Sequence, residues 1–315
     1  MTRAFLFPGQ GSQFIGMGKD LADAFADARH TFEEVDDALG EKLSDLIFSG
    51  SQEELNLTAN TQPALMAVSM AVVNVITREG GIGLEDNCQF MAGHSLGEYA
   101  ALTASGALEL GDTAKLLRLR GQAMQDAVPV GEGAMAAILG LDFDTVVAIA
   151  DEASTKNSKC ELANDNSDGQ IVISGHKDAV ERASELAKEK GAKRALPLPV
   201  SAPFHSTLMA PAAQRMATAL ADTNIRPPFV PVVSNVTATA VAEPSDIRRL
   251  LVDQITHRVR WRESVQAMAA DGVTEMVELG AGKVLAGLVK RIAPDVTVSS
   301  VGTAEQVEEL IKRLQ

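Results

Sequence analysis

The chain has 315 residues and a formal net charge of −14 at pH 7. That length suits one large domain, or a large one with an insert, and the acidity argues against general nucleic-acid affinity. Cys88 and Cys160 are isolated, without C-x-x-C spacing; they read as reduced core residues of a cytoplasmic protein, not as a disulfide framework or a metal site. Phe5-Leu6-Phe7 is cut short by Pro8-Gly9, so no leader is expected, and no apolar run reads as long enough to span a membrane.

Arg3 to Phe7 reads as a core strand that runs into the Gly-containing loop Pro8 to Gln13. Helical patterns follow around Gly18 to Ala28 and Thr31 to Leu39. A long apolar helix opens near Thr61, with Pro63 in its first turn, and ends near Arg78. Gln89 to Ala92 is a short buried strand, Glu98 to Ala104 a helix that Gly106 can end, and Asp112 a candidate cap for a helix reaching Ala127.

From about Gly133 the pattern changes. Strands at Ala134 to Leu139, Cys160 to Ala163, Gln170 to Ser174 and Lys193 to Leu198 alternate with helices at Phe143 to Ser154 and Asp178 to Lys190; residues Asn164 to Gly169 read as a turn. This β-α-β-β-α-β order is that of ferredoxin-like modules. The expected fold is α/β: a large α/β-hydrolase-like domain with a parallel sheet (residues 1–129 and 200–315) and an inserted ferredoxin-like subdomain (130–199). Pro231 to Ser234 and Glu275 to Leu279 read as the last core strands. Gly280-Ala281-Gly282 then turns into the helix Val284 to Ile292. This turn lacks both the dinucleotide fingerprint and the P-loop ending, so no nucleotide cofactor is expected.

Gly93-His94-Ser95-Leu96-Gly97 fits G-x-S-x-G between the short strand and the helix. A serine on such a turn has an exposed hydroxyl with a helix N-terminus behind it; the plain alternative is a Gly-rich turn with a capping serine. Serine needs a base. Of the five histidines, His205 lies in the loop-like segment Val200 to Ser206 among small residues, whereas His30 and His176 read as surface, His257 lies among arginines, and His94 points away from Ser95. Asp151, Asp165 and Asp168 fall between serine and histidine, but none looks committed to a triad, so a Ser-His dyad with a neutral orienting group is credible. Arg120 falls on the apolar stripe of its helix with Leu116, Leu117, Ala123, Met124 and Ala127, while Arg118 faces the wet side. A guanidinium there needs an anionic partner: it is a structural salt bridge or a snorkelling side chain, or else a fork for a substrate carboxylate held by paired hydrogen bonds.

Together, Phe7 to Gln13, Gly93 to Glu98, Arg118 to Gly121 and Phe204-His205-Ser206 resemble the malonyl-CoA:acyl-carrier-protein transacylases, in their free-standing fatty-acid-synthesis form, over nearly the whole chain. The resemblance implies that Ser95 carries the malonyl ester and His205 acts as base and acid. It implies that Arg120 holds the malonyl carboxylate, and that Gln10 and the Leu96 N–H form the oxyanion hole. The backbone carbonyl of Gln254 would orient the histidine, and the bulky Phe204 goes with malonyl over methylmalonyl selection. It further implies malonyl-CoA and acyl carrier protein as partners, no cofactor and no metal. A cytoplasmic monomer is expected, with no nucleic-acid or membrane partner. Lys290 and Arg291, beside Lys283, are the candidate carrier patch, with Arg258 to Arg262 competing. The alternatives are a trans-acting polyketide acyltransferase, a serine esterase without need of Arg120, and a non-catalytic carrier-binding protein.

Overall fold

The computed structural model describes residues 2–200 and 202–315. Strand β1 (Arg3–Phe7) leads into helices α1 (Lys19–Ala24), α2 (Ala26–Leu39), α3 (Leu43–Ser49), α4 (Gln52–Asn56) and α5 (Thr58–Asn74), the last continued by a π-helical segment, Val75–Glu79. Next come β2 (Phe90–Gly93), α6 (Leu96–Ala104) and α7 (Leu110–Asp126). The small subdomain holds β3 (Gly133–Leu139), α8 (Phe143–Ala153), β4 (Cys160–Ser167), β5 (Gln170–His176), α9 (Lys177–Glu189) and β6 (Arg194–Pro197). The chain then returns through α10 (Ala210–Ala221), β7 (Val232–Val233), β8 (Ala240–Val241), α11 (Pro244–Asp253), α12 (Trp261–Ala270), β9 (Glu275–Leu279), α13 (Val284–Ile292), β10 (Thr297–Val301) and α14 (Ala304–Leu314).

The main sheet has the order β10-β9-β1-β2-β7-β8 and is parallel except for β8, which runs against β7. All of β1 is buried, as expected of a parallel strand covered on both faces. Its alternate side chains serve two layers. Phe5 and Phe7 belong to the core shared with α2, α5, α6 and α7, and Ala4 and Leu6 to a second core shared with α12 and α13. α5 is apolar all round because it is surrounded. With its π-helical continuation it spans 22 residues and, against the sequence expectation, is long and apolar enough to cross a bilayer, but 89% of that window is buried within the protein.

α5 starts at Thr58, which puts Pro63 inside the helix rather than in its first turn. The proline leaves the Ala59 carbonyl without its helical donor. Arg118 Nη1 donates to that carbonyl at 2.8 Å and also contacts Asn60, while Nη2 pairs with Glu41. Arg118 is therefore largely covered, not on a wet face. α7 begins at Leu110, so Asp112 lies in its first turn and Glu109 holds the cap position. A Cβ on Gly121 would lie 2.5 Å from Ala59 Cα; α7 crosses α5 at a distance that needs glycine, which brings its neighbour Arg120 deep into the core.

The small sheet is antiparallel in the order β4-β5-β3-β6, with α8 and α9 packed on it through Ile138, Ile149, Ile173 and Ala183. β4 runs on through Ser167 with an irregular register, so Asn164 to Ser167 are strand, not turn. This extension reaches the large domain. Asp165 N–H donates to the Val259 carbonyl at 2.9 Å and Val259 N–H to Ala163 at 2.8 Å. Arg262 grips the buried Asp165 through Nε and Nη2 at 3.0 and 2.8 Å, and its Nη1 pairs with Asp168 at 3.3 Å. Asp165 and Asp168 thus belong to the seam between subdomains, and Asp151 is exposed on α8; none serves a triad.

Candidate active site

β2 ends at Gly93 and α6 begins at Leu96, so His94 and Ser95 make the turn, with Ser95 at φ 54°. A Cβ on Gly93 would sit 1.9 Å from the Gly97 carbonyl carbon, and one on Gly97 would sit 2.3 Å from the Phe7 oxygen. Both glycines are sterically required. Asn235 clamps the turn: its Oδ1 accepts from Ser95 N–H and its Nδ2 donates to the Gly93 carbonyl, each at 2.7 Å.

His205 also has positive φ, 56°, and is buried. Its Nε2 lies 2.8 Å from Ser95 Oγ and its Nδ1 2.9 Å from the Gln254 backbone oxygen. A carbonyl only accepts, so Nδ1 carries the proton and the Nε2 lone pair faces the serine. Burial, then the charge of Arg120, pushes the His205 pKa down to about 3; the imidazole is neutral, as a base must be.

Arg120 is 1% exposed. Nη2 donates to Ser95 Oγ at 3.0 Å and to Gln254 Oε1 at 2.8 Å, and Nη1 donates to Gln62 Oε1 at 2.7 Å. Nε is buried without a partner, and no carboxylate pairs with this guanidinium among the described residues. From Gln62 a hydrogen-bond chain continues: its Nε2 donates to Thr58 Oγ1 at 3.0 Å, and Thr58 donates to Gln10 Oε1 at 2.9 Å. The Leu96 N–H, first in α6, has no acceptor within its own helix.

Gln10, Ser95, Leu96, Arg120 and His205 all line one cleft of about 110 Å³, which Phe204 and the small-subdomain residues Met135, Asn164 and Leu198 complete; Gln254 lies behind it. His94 lines the cleft too, but its ring turns to Asn166 Oδ1 at 2.8 Å and packs 5.6 Å from Trp261. His30 and His257 are exposed and His176 is half-buried at the start of α9. Ser201, in the His205 segment, lies outside the described residues. Sequence reasoning missed Gln62, Thr58, Asn235 and the role of Glu98. Gln62 and Glu98 stand out only as polar residues in mostly apolar helices; that marks them, but does not name their partners, and Thr58 and Asn235 carry no such signal.

Of the two basic patches, Arg258 to Arg262 is neutralised, with Arg258 and Arg260 on Glu263 and Arg262 on Asp165 and Asp168. Lys290 and Arg291 are exposed on α13, but Arg291 donates to Gln170 of the small subdomain at 2.7 Å.

Residues 4–315 match the family model described as Acyl transferase domain. The chain is 50% identical over 312 residues to the malonyl CoA-acyl carrier protein transacylase of Bacillus subtilis (strain 168), covering 99% of this chain and 97% of that one. The crystal structure of acyl-carrier-protein-S-malonyltransferase from Bartonella henselae has a TM-score of 0.97 at 55% identity, covering 100% of this chain and 99% of that one. A malonyl-transacylase in complex with its type II PKS acyl-carrier protein has a TM-score of 0.95 at 42% identity, covering 99% of this chain and 100% of that one. The serine on a strand-turn-helix, the histidine brought to it from a distant loop and the buried, acid-free guanidinium thus sit in a chain that belongs, over residues 4–315, to the acyl transferase domain family, among its malonyl CoA-acyl carrier protein transacylases.

Proposed function

We propose that the protein transfers malonyl from malonyl-CoA to the pantetheine thiol of an acyl carrier protein, through an ester on Ser95, and so supplies fatty-acid elongation in the cytoplasm. The observation that carries this reading is Arg120: a buried guanidinium without an acid, its Nε unpartnered and its Nη2 on the nucleophile. The guanidinium takes the free carboxylate of the malonyl group in charge-assisted hydrogen bonds. His205 Nε2 accepts the Ser95 proton as Oγ attacks the thioester carbonyl. The Leu96 N–H and Gln10 hold the oxyanion, each donor contributing roughly 3 kcal/mol, on the order of a hundredfold in rate. The C–S bond breaks, His205 returns its proton to the departing thiolate, and coenzyme A leaves. The carrier thiol then gives its proton to His205, attacks the ester, and Ser95 is released with that proton. The Gln254 carbonyl keeps the imidazole in its Nδ1–H tautomer throughout. The scheme calls for no metal or redox cofactor and works in a monomer, with the small subdomain, residues 130–199, roofing the cleft. Phe204 bounds the acyl pocket against a branched acyl group. An esterase for neutral substrates would have no use for Arg120.

Intact-mass analysis after mixing with malonyl-CoA tests this. Wild type gains one malonyl adduct, Ser95→Ala gains none, and His205→Ala gains it slowly. Burial pushes both cysteine thiols up to about 12, so they are expected to stay silent. An adduct that persists in Ser95→Ala overturns the assignment.

A further inference from the structure

Glu98 is a buried acid that the proposed chemistry does not touch. It lies in the first turn of α6, is 2% exposed, and does not line the cleft. Its Oε2 accepts from Gln254 Nε2 at 2.7 Å and from Asn235 N–H at 3.1 Å. It has no ion-pair partner among the described residues. An isolated buried carboxylate is costly. Here the α6 N-terminus, the two N–H donors and the more distant charge of Arg120 offset that cost.

The Gln254 amide stands between Glu98 and Arg120. Its Nε2 donates to Glu98 and, at 3.0 Å, to the Ser95 carbonyl, and its Oε1 accepts from Arg120 Nη2 at 2.8 Å. The Ser95 carbonyl can only accept and the guanidinium can only donate, and Glu98, accepting from the same NH₂ at the shorter distance, reinforces the one orientation of the amide that suits both. The NH₂ must face Glu98, and the carbonyl must face the guanidinium.

We infer that Glu98 is a positioning residue that, through Gln254, aims Arg120 at the acyl carboxylate. Above pH 7, where the Glu98 carboxyl is mainly ionised, a negative charge one amide away steadies the guanidinium without occupying Nε. Arg262 shows the contrasting arrangement within the same molecule: its Nε–Nη2 edge is filled by Asp165 directly. An acid placed so at Arg120 would exclude the substrate's carboxylate. The inference rests on the reading of Arg120 as the malonyl carboxylate site.

The test is steady-state kinetics at pH 8, above the value of about 7 to which burial raises Glu98, with malonyl-CoA and acetyl-CoA on Glu98→Gln, Arg120→Ala and the double variant, and with melting temperature as the control for folding. Glu98→Gln is expected to raise KM for malonyl-CoA about tenfold, the effect of losing one charged hydrogen bond, with a much smaller change in kcat and in acetyl transfer. In the Arg120→Ala background it should add nothing, since coupled residues are non-additive. Equal losses of malonyl and acetyl transfer in Glu98→Gln, or additive effects in the double variant, overturn the inference. Should Arg120→Ala alone lower both substrates equally, the reading of Arg120 fails instead, an outcome visible without touching Glu98. If Glu98→Gln does not fold, Glu98→Asp, whose shorter stem withdraws the carboxylate from Gln254 Nε2, is held to the same outcomes.

Discussion

Burial acts with opposite sign on the two titratable groups that flank the elbow. It pushes the Glu98 carboxyl up to about 7, against hydrogen bonds from Gln254 and Asn235, and the His205 imidazole down to about 3, with the positive charge of Arg120 adding to the fall and His94 contributing less. For His205 the consequence is a slope in stability. Unfolded histidine takes a proton near pH 6.5, which the folded residue refuses until about pH 3. Its contribution is therefore complete above pH 6.5 and is lost as the pH falls through that window. At ~1.4 kcal/mol per pH unit, moving from pH 7 to pH 5 costs about 2 kcal/mol. Glu98 works the other way between its ordinary value and about 7, favouring the acid side. It is present in both proteins of the comparison, so it cancels. His205→Gln should therefore lose about 2 kcal/mol less than wild type over that interval, read by denaturant unfolding at the two pH values. Parallel losses would show that His205 is not held neutral by the fold.

At the scale of elements, the elbow concentrates strain on one non-glycine residue. Ser95 sits at φ 54° and ψ −107° between β2 and α6, a region in which a Cβ costs roughly 1 kcal/mol or more. Ser95→Gly and Ser95→Ala both remove the hydroxyl and its contacts with His205 and Arg120, so their difference isolates the backbone. Ser95→Gly should be the more stable by about 1 kcal/mol, measured by thermal unfolding; equal stability would mean that the turn relaxes without strain. The elbow was legible in the sequence because its parts are adjacent: a buried strand, two glycines that nothing else can replace, and an apolar helix. The βαββαβ order was legible for the same reason, each element carrying its own period. β10 was not, because Thr297, Ser299 and Ser300 make a half-exposed edge strand without an apolar run. The support behind the elbow was not legible either. Glu98 meets Asn235 across 137 residues and Gln254 across 156, and no local pattern encodes such partners. Pro63 misled for a related reason, since the helix tolerates it only because Arg118, from another helix, takes the carbonyl it orphans.

At the scale of the whole molecule, a chain of net charge −14 and an acidic carrier repel each other, so docking requires a local basic surface. With Arg258, Arg260 and Arg262 neutralised by carboxylates, α13 remains the better candidate. Arg291 is committed to Gln170 across the subdomain seam, so reversing it would disturb the fold and the docking together. Lys290 and Lys283 are exposed, and neither pairs with a carboxylate among the described residues. They differ in place. Lys283 precedes α13 and follows Gly282, which packs against Ser12, two residues on from Gln10. Lys290 lies two helical turns further along, about 10 Å away at 1.5 Å per residue. If the carrier docks on α13, Lys283→Glu and Lys290→Glu should each raise KM for the carrier while leaving acylation by malonyl-CoA nearly unchanged, Lys283→Glu by the larger factor. Both effects should shrink as salt is raised, because exposed charges are screened over about 10 Å at ~0.1 M ionic strength. The measurement is carrier KM at low and high salt for each single variant. An unchanged KM at low salt in both would remove α13 from the docking surface.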